Sequence, residues 1–509
     1  MSSDTSLTGV PGRGGASPFL PMPLWARVGF VFYFAVYHLL GPAIAQAFAY
    51  QAPPYVELLI LAEALHVFLL LLPVLFYHPS YGWLHPLIFP SIFVAAKSVL
   101  KDPVQLIDPL RSAPVSFDGG SSSRAFSIST LSDADLSEAR IWLTLLYCFA
   151  LAVYYAAFFW GPRFRVPRIA FRRPSNQQVK WIAAAGLIIL VCSAFIVSQG
   201  GLAAQIAIMR GGRSAAFSGL GQFLVLAGLG VMVMLSWLAF DRSALRNPLF
   251  WGMLMVALVN TVVVSGARSA LIYPLVMFMM IWWMQTGRAR IGVAAIAAVV
   301  SLFFFGLAGI IRQDYGATDV DWSILDPTRA AEWIEAAREE AEWRGNEESD
   351  LAAFAGVDDA GLLMGRTYLG AAAFWIPRAI WPDKPRSADS YNMYVNFVGR
   401  EIGDEFEVRI WGIPVGAEVE AFWNFHLPGV VLIFFFLGAF HRWLANLFVA
   451  YPGEPAIQVL YAYVLVNFVG TSMSFVTTIR MVLALLVLYS VFGALGVVRR
   501  RRMAPVLRS

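Results

Sequence analysis

Polar residues in this chain fall into short clusters separated by long apolar runs, rather than alternating at the period of an amphipathic helix or a strand. Twelve runs approach or exceed the about 20 apolar residues that a helix needs to cross about 30 Å of hydrocarbon. They lie near 25–49, 55–77, 83–100, 140–160, 181–199, 221–240, 249–266, 269–285, 291–311, 427–448, 456–475 and 479–498. Unpaired backbone groups cannot be left in lipid, so each run is predicted as a helix. The third is interrupted by Pro86 and Pro90 and carries Lys97 near its end, and a half-length element there would change the count.

The predicted fold class is all-α: a polytopic integral membrane protein of about 12 transmembrane helices, with a large helical external loop between spans nine and ten. The expected organisation is a disordered N-terminus (1–24), spans one to nine (25–311), an external loop with helices and a re-entrant segment (312–426), spans ten to twelve (427–498) and a basic tail (499–509). Composition agrees. At 59% hydrophobic and 14% charged, 509 residues carry more apolar surface than a soluble fold can hide. The Gly/Ser/Pro-rich start has Arg13 as its one cation and leads into a run too long for a signal core, so the first span reads as an uncleaved anchor.

Charge gives the sidedness. Residues 312–426 hold 22 of the 33 acids against 10 Lys and Arg; the remainder holds 27 Lys and Arg against 11 acids, so −12 and +16 sum to the stated +4. The linker with Arg163, Arg165, Arg168, Arg172, Arg173 and Lys180, the pairs Arg242/Arg246 and Arg288/Arg290, and the run Arg499 to Arg502 all fall on one side of a twelve-span chain. The positive-inside bias assigns that side, and both termini, to the cytoplasm. The acidic segment then faces outward.

Arginines on the outer side break this bias and are therefore candidate ligands. Arg210 and Arg213 lie in RGGRSAAFSG, Arg268 in the SGARS hairpin, Arg312 at the exit of span nine and Arg480 at the start of span twelve. A guanidinium fork matches phosphate oxygens; the alternative is that each snorkels to the interface or pairs with an acid above it. Asp326-Pro327 reads as an N-cap with Pro at the first helical position, opening a helix that carries Trp333 and Trp343, with Trp322 just before it. Residues 361–382 form an apolar stretch bent at Pro377, expected either to re-enter the membrane, bringing Arg378, Lys384 and Arg386 over a cavity, or to lie as a surface helix. In GAEVEAFWNFHLPG, Glu420 and Asn424 share a helix face, with Glu418 two residues earlier and His426 as a capping or interfacial residue.

Other chemistry has less to stand on. Cys148 and Cys192 both fall inside spans, leaving no disulfide framework or thiolate zinc site, and six scattered His offer no cluster at ligand spacing. No metal is expected. Glu63 and His66, one turn apart in an early span, are the strongest argument for a proton-coupled carrier or flippase, but matching halves are not visible.

These residues resemble the O-antigen polymerase (Wzy), or oligosaccharide repeat-unit polymerase, family. The likeness runs over roughly 200–440: SGARSALIYP at a span hairpin, IRQD leaving the preceding span, IPRAIWPDKP in the loop and GAEVEAFWNFHLPG opening the next span, where His426 replaces an expected glycine. The resemblance implies a glycosyltransferase of the inner membrane that joins undecaprenyl-diphosphate-linked oligosaccharides on the outer leaflet, without nucleotide sugar, metal or cofactor. The partners it implies are the bilayer, a chain-length regulator and a repeat-unit flippase; nucleic acid has no part. It implies Glu420 as base, with Glu418 or Asp314 as substitutes. Arg210, Arg213, Arg268, Arg312, Arg378, Lys384, Arg480, Asn424 and Tyr368 are the implied substrate ligands, and Trp375 and Trp381 are further aromatics for sugar faces. An O-antigen ligase-type transferase uses the same donor and is the nearest alternative.

Overall fold

The computed structural model describes residues 17–47, 53–98, 132–172, 176–202, 204–205, 221–265, 269–295, 326–333, 346–377, 380–385 and 415–496. Among these the fold is all-α. Helix α1 (Leu24–Phe34) runs through a π-helical turn at Ala35–Leu40 into α2 (Gly41–Ala47), followed by α3 (Val56–Leu75), α4 (Phe89–Ser98) and α5 (Asp133–Trp160). After strand β1 (Ala170–Phe171) come α6 (Gln177–Ser198), α7 (Gly221–Phe240), α8 (Pro248–Ser265) and α9 (Ser269–Thr286). Helices α10 (Asn346–Ala360) and α11 (Arg366–Ala372) precede α12 (Ala417–Ala450), α13 (Pro455–Asn467) and α14 (Ser472–Val491), and β2 (Leu495–Gly496) pairs antiparallel with β1.

Among the described residues eight helical stretches are long and apolar enough to cross a membrane, and α9 and α13 contain shorter apolar helices. The chain is a multi-pass membrane protein by these helices. Two expectations change. Helix α4 starts at Phe89, about six residues after the predicted start of its run, because 78–88 form turns ahead of it. Within the stretch expected to be disordered, Phe19 and Leu20 are buried, and their carbonyls accept the amides of Leu84 and Trp83.

Helix direction follows from side-chain contacts. Arg442, near the end of α12, donates to Phe159 O and Gly161 O at the end of α5 (3.1 and 3.3 Å). Lys180 at the start of α6 donates to Phe492 O just beyond α14 (3.1 Å), and Gln285 near the end of α9 donates to Leu238 O and Ala239 O near the end of α7 (2.9 and 2.7 Å). The linkers bearing Arg163 to Arg172, Arg242 to Arg246 and Arg288 to Arg290 therefore gather at one end. Helices α3 and α5 run in the same direction, since Val56 and Leu59 pack with Ile141 while the Tyr155 hydroxyl donates to Leu69 O (2.9 Å).

Small residues let the longest helices meet. A Cβ on Gly438 would fall 2.3 Å from Tyr154 O and 3.0 Å from the Ala157 methyl, so α12 lies against α5 with almost no side chain between them. Packing of this kind drives helix association where lipid is as apolar as the side chains. Beside this contact the Tyr154 hydroxyl meets His441 Nδ1 (3.0 Å), and the Ser236 hydroxyl meets Tyr489 (2.8 Å), giving buried polar groups partners in the bundle.

The cap read at Asp326 is present. Thr328 N–H donates to Asp326 Oδ1 (2.9 Å), which caps the turn Pro327–Arg329 and holds the Asp326 carboxyl below its ordinary range. Helix α5 opens with a capping box between Ser132 and Asp135, about two turns before its predicted start, so its 28 residues, about 42 Å, outrun the hydrocarbon.

Candidate functional site

The site lies at the end opposite the basic linkers, where the first two turns of α12 meet α10, α11 and the start of α14. Helix α12 is one element of 34 residues broken at Phe425 and His426, whose backbone leaves the helical region. The upper arm carries Glu418, Glu420 and Asn424; the lower arm, from Leu427, is the predicted tenth span. The break has a cause. Pro428 cannot donate to the helix ladder, and a Cβ on Gly429 would strike Ala421 O at 2.2 Å.

The upper arm has no side-chain cap of its own at Gly416. Asp350 of α10, 4% exposed, supplies one: its Oδ1 accepts the Gly416 amide (2.5 Å), and its Oδ2 accepts the Tyr147 hydroxyl of α5 (2.9 Å). An anionic side chain here meets the positive end of the α12 dipole. A methyl on Gly416 would lie 2.7 Å from Asp350 Oδ2 and would push that carboxylate aside.

Glu420 is 3% exposed, and its Oε2 accepts the amide hydrogen of Ser472 at the first position of α14 (3.1 Å). Thr471 caps the same helix by accepting Ser474 N–H (3.1 Å), and Gly470 at φ +100° turns the chain into it. The carboxylate thus fills one of the orphan donor positions of a helix N-terminus. Glu418 is half-buried beside Gly416.

Asn424 is fully buried. Its Nδ2 donates to Thr367 Oγ1 of α11 (2.9 Å) and to Glu420 O (2.8 Å), which makes it a clamp between α12 and α11 rather than an open ligand. The clamp is extended by Leu363 N–H to Trp423 O (3.0 Å) and Trp423 Nε1 to Gly361 O (3.2 Å). Residues 361–367 are laid along the upper arm, and Gly365, at φ +79°, faces the Phe425 ring where a Cβ would sit 2.4 Å away.

Beyond α11 the chain turns at Ala373–Pro377. Arg480 lies with its guanidinium 5.3 Å from the Phe374 ring centre, a cation–π contact, and is nine residues past Thr471, about 13 Å along α14. Lys384 Nζ donates to Ile376 O (2.7 Å) and Ala373 O (3.4 Å), satisfying carbonyls that follow the short helix. Leu369, Trp375 (71%) and Ile380 (76%) point outward from this segment. Tyr368 is half-buried in α11, Trp381 is half-buried and Trp375 is open, so only the latter presents its whole ring.

The structure therefore joins Glu418, Glu420, Asn424, Tyr368, Lys384 and Arg480 in one neighbourhood of α10, α11, α12 and α14. Asp314, Arg210, Arg213, Arg268, Arg312, Arg378 and Arg386 lie outside the described residues, as do Trp322 and Trp343. Sequence reasoning missed Asp350, Tyr147, Thr367 and Ser472. The Thr-Ser pair before an apolar run was a legible cap; the other three have meaning only through tertiary contact. Comparison with protein-family models, curated proteins and solved structures finds nothing that matches this chain.

Proposed function

We propose that this chain is a glycosyltransferase that polymerises undecaprenyl-diphosphate-linked oligosaccharide units on the outer leaflet of a bacterial inner membrane, with both termini cytoplasmic. The observation that carries the reading is the junction of α12 with α14: a buried carboxylate, Glu420, held at the end of the bundle opposite the basic linkers, with Glu418 on the same arm, Arg480 farther along α14 and Lys384 on the segment that Arg480 touches at Phe374. Positive-inside bias places that end outside the cell.

Helix directions support an even, twelve-pass count. Parallel α3 and α5 require the chain to cross back between them, and α9 and α12, which both end beside the basic linkers, require a crossing in 287–416. The depth of Phe374 along α14 and the Lys384 cap on the carbonyls of Ala373 and Ile376 support re-entry of 361–384 into the outer leaflet, since a short helix there needs its backbone groups satisfied.

The chemistry is an exchange at an anomeric carbon. The acceptor hydroxyl gives its proton to Glu420 as its oxygen bonds to that carbon, and the bond to the lipid diphosphate breaks with the electron pair leaving on phosphate oxygen. Arg480 and the outer-loop arginines stabilise that charge. Asn424 and Thr367 hold the arm that carries the base.

Deleting the gene tests the reading in a cell. Polymerase loss leaves a single repeat unit on the final acceptor. Ligase loss leaves none, and carrier loss strands the lipid-linked unit inside; either result contradicts polymerisation.

A further inference from the structure

A second buried ionisable cluster lies away from Glu420, in the half of the bundle formed by α1, α3 and α5. His38 Nδ1 is 3.0 Å from Glu63 Oε1, and His66 Nδ1 is 3.6 Å from Glu63 Oε2. Their side chains are 3%, 10% and 18% exposed for His38, Glu63 and His66. Glu63 lies seven residues into α3, about 10 Å from its outer end, so the cluster sits at the depth of hydrocarbon. The sequence pointed to Glu63 and His66 alone; His38 is delivered by the π-helical turn at Ala35–Leu40, a distortion that recurs at functional positions.

The groups facing Glu63 can be named. On the α1–α2 segment they are His38 and Tyr37, whose ring lies 5.2 Å from the His38 ring; on α3 it is His66, with the exposed Glu57 six residues before Glu63, about 9 Å along the helix. On α5 they are Cys148, which feels the Glu63 charge, and Tyr147, whose ring is 5.7 Å from His66 and whose hydroxyl binds Asp350 of α10. The buried Arg140 lies two turns before Tyr147 on α5.

Net charge decides what such a cluster holds. Ionised Glu63 with two neutral imidazoles leaves an uncompensated anion in hydrocarbon, and two imidazolium rings leave a cation; one added proton gives a neutral set. His38 Nε2 is buried with no hydrogen-bond partner among the described residues, so a second N–H on that ring would be an orphan donor. His66, the most exposed of the three, is the better seat.

We infer that His38, Glu63 and His66 form a membrane-embedded proton-binding site that holds one proton at neutral pH, distinct from the carboxylate at Glu420. Tyr147 lies between this site and Asp350, the residue that caps the Glu420 arm: its ring is 5.7 Å from that of His66 and its hydroxyl donates to Asp350 Oδ2.

The test is magic-angle-spinning NMR of the full chain in lipid at neutral pH, with 15N-labelled His and 13C-labelled Glu, assigned with His38→Gln, His66→Gln and Glu63→Gln. The expected result is one proton in the cluster, read as a doubly protonated ring paired with an ionised Glu63 or as a protonated Glu63 carboxyl, and lost when Glu63 becomes Gln. Ionised Glu63 beside two singly protonated rings overturns the proposal, as does a doubly protonated ring that survives Glu63→Gln. Should Glu63→Gln not fold, the single-ring variants carry the same assignment.

Discussion

The Glu420 carboxylate accepts the Ser472 amide hydrogen across 3.1 Å, so the residue read as a base is also the bolt between the upper arm of α12 and the first turn of α14. These two roles separate on substitution. Gln keeps an oxygen acceptor for Ser472 and removes the charge, whereas Ala removes both. A purely structural Glu420 tolerates Gln; a base does not.

Asp350 should matter to the same arm without touching substrate. Asp350→Ala leaves the Gly416 amide and the Tyr147 hydroxyl without their acceptor in a buried setting, which costs about 1–3 kcal/mol. A fall in thermal midpoint of the detergent-solubilised protein checks it, with Asp350→Asn intermediate. An unchanged midpoint contradicts the cap.

His426 occupies φ +57°, ψ −152°, a conformation that glycine adopts readily and other residues adopt at a cost of about 1–3 kcal/mol. His426→Gly should therefore raise stability, less whatever the imidazole gains by packing on Phe422 at 4.2 Å. Thermal unfolding reads the sign. A lower midpoint for the glycine variant means that the ring contact outweighs the backbone.

Gly438 sets the distance between α12 and α5. Any side chain there pushes on Tyr154 O, and overpacking of this kind costs about 1–3 kcal/mol. Gly438→Leu is expected to lower the thermal midpoint, while Leu432→Ala, on an exposed side chain of the same helix, is expected to change it little. Equal effects would show that the helices are not in close contact.

Membrane insertion of residues 361–384 can be measured directly. Nitroxide labels at Trp375 and Ile380, both outward-facing, should be relaxed by lipid-soluble oxygen and shielded from a water-soluble nickel chelate. A label at Asp326, on an exposed cap, should show the reverse. Chelate access at 375 and 380 places the segment in water.

How much of this was legible in the sequence depends on the range of the interactions involved. Span positions are written in local composition, so α3, α6, α7 and α8 begin and end within a few residues of their runs. The third run starts too early because hydropathy counts Trp83 to Ile88 as apolar, while Pro86 falls among turns and Pro90 in the first turn of α4. Glu420 and Asn424 on one face followed from spacing alone. That Asn424 spends its amide on Thr367, and that Asp350 caps α12, did not, because each partner is more than 50 residues away. The positive φ of His426 was not legible either, because it is set by the break between the two arms of α12.

The most direct measurement is polymerisation by the purified chain, in lipid, of lipid-diphosphate-linked repeat units, comparing wild type with Glu420→Gln at matched folding. The account predicts a ladder of products from wild type, and an initial rate lower by about 100- to 10,000-fold in the variant, the range of a lost general base. A wild-type chain that gives no ladder, or a Gln variant that extends glycan at the wild-type rate, contradicts it.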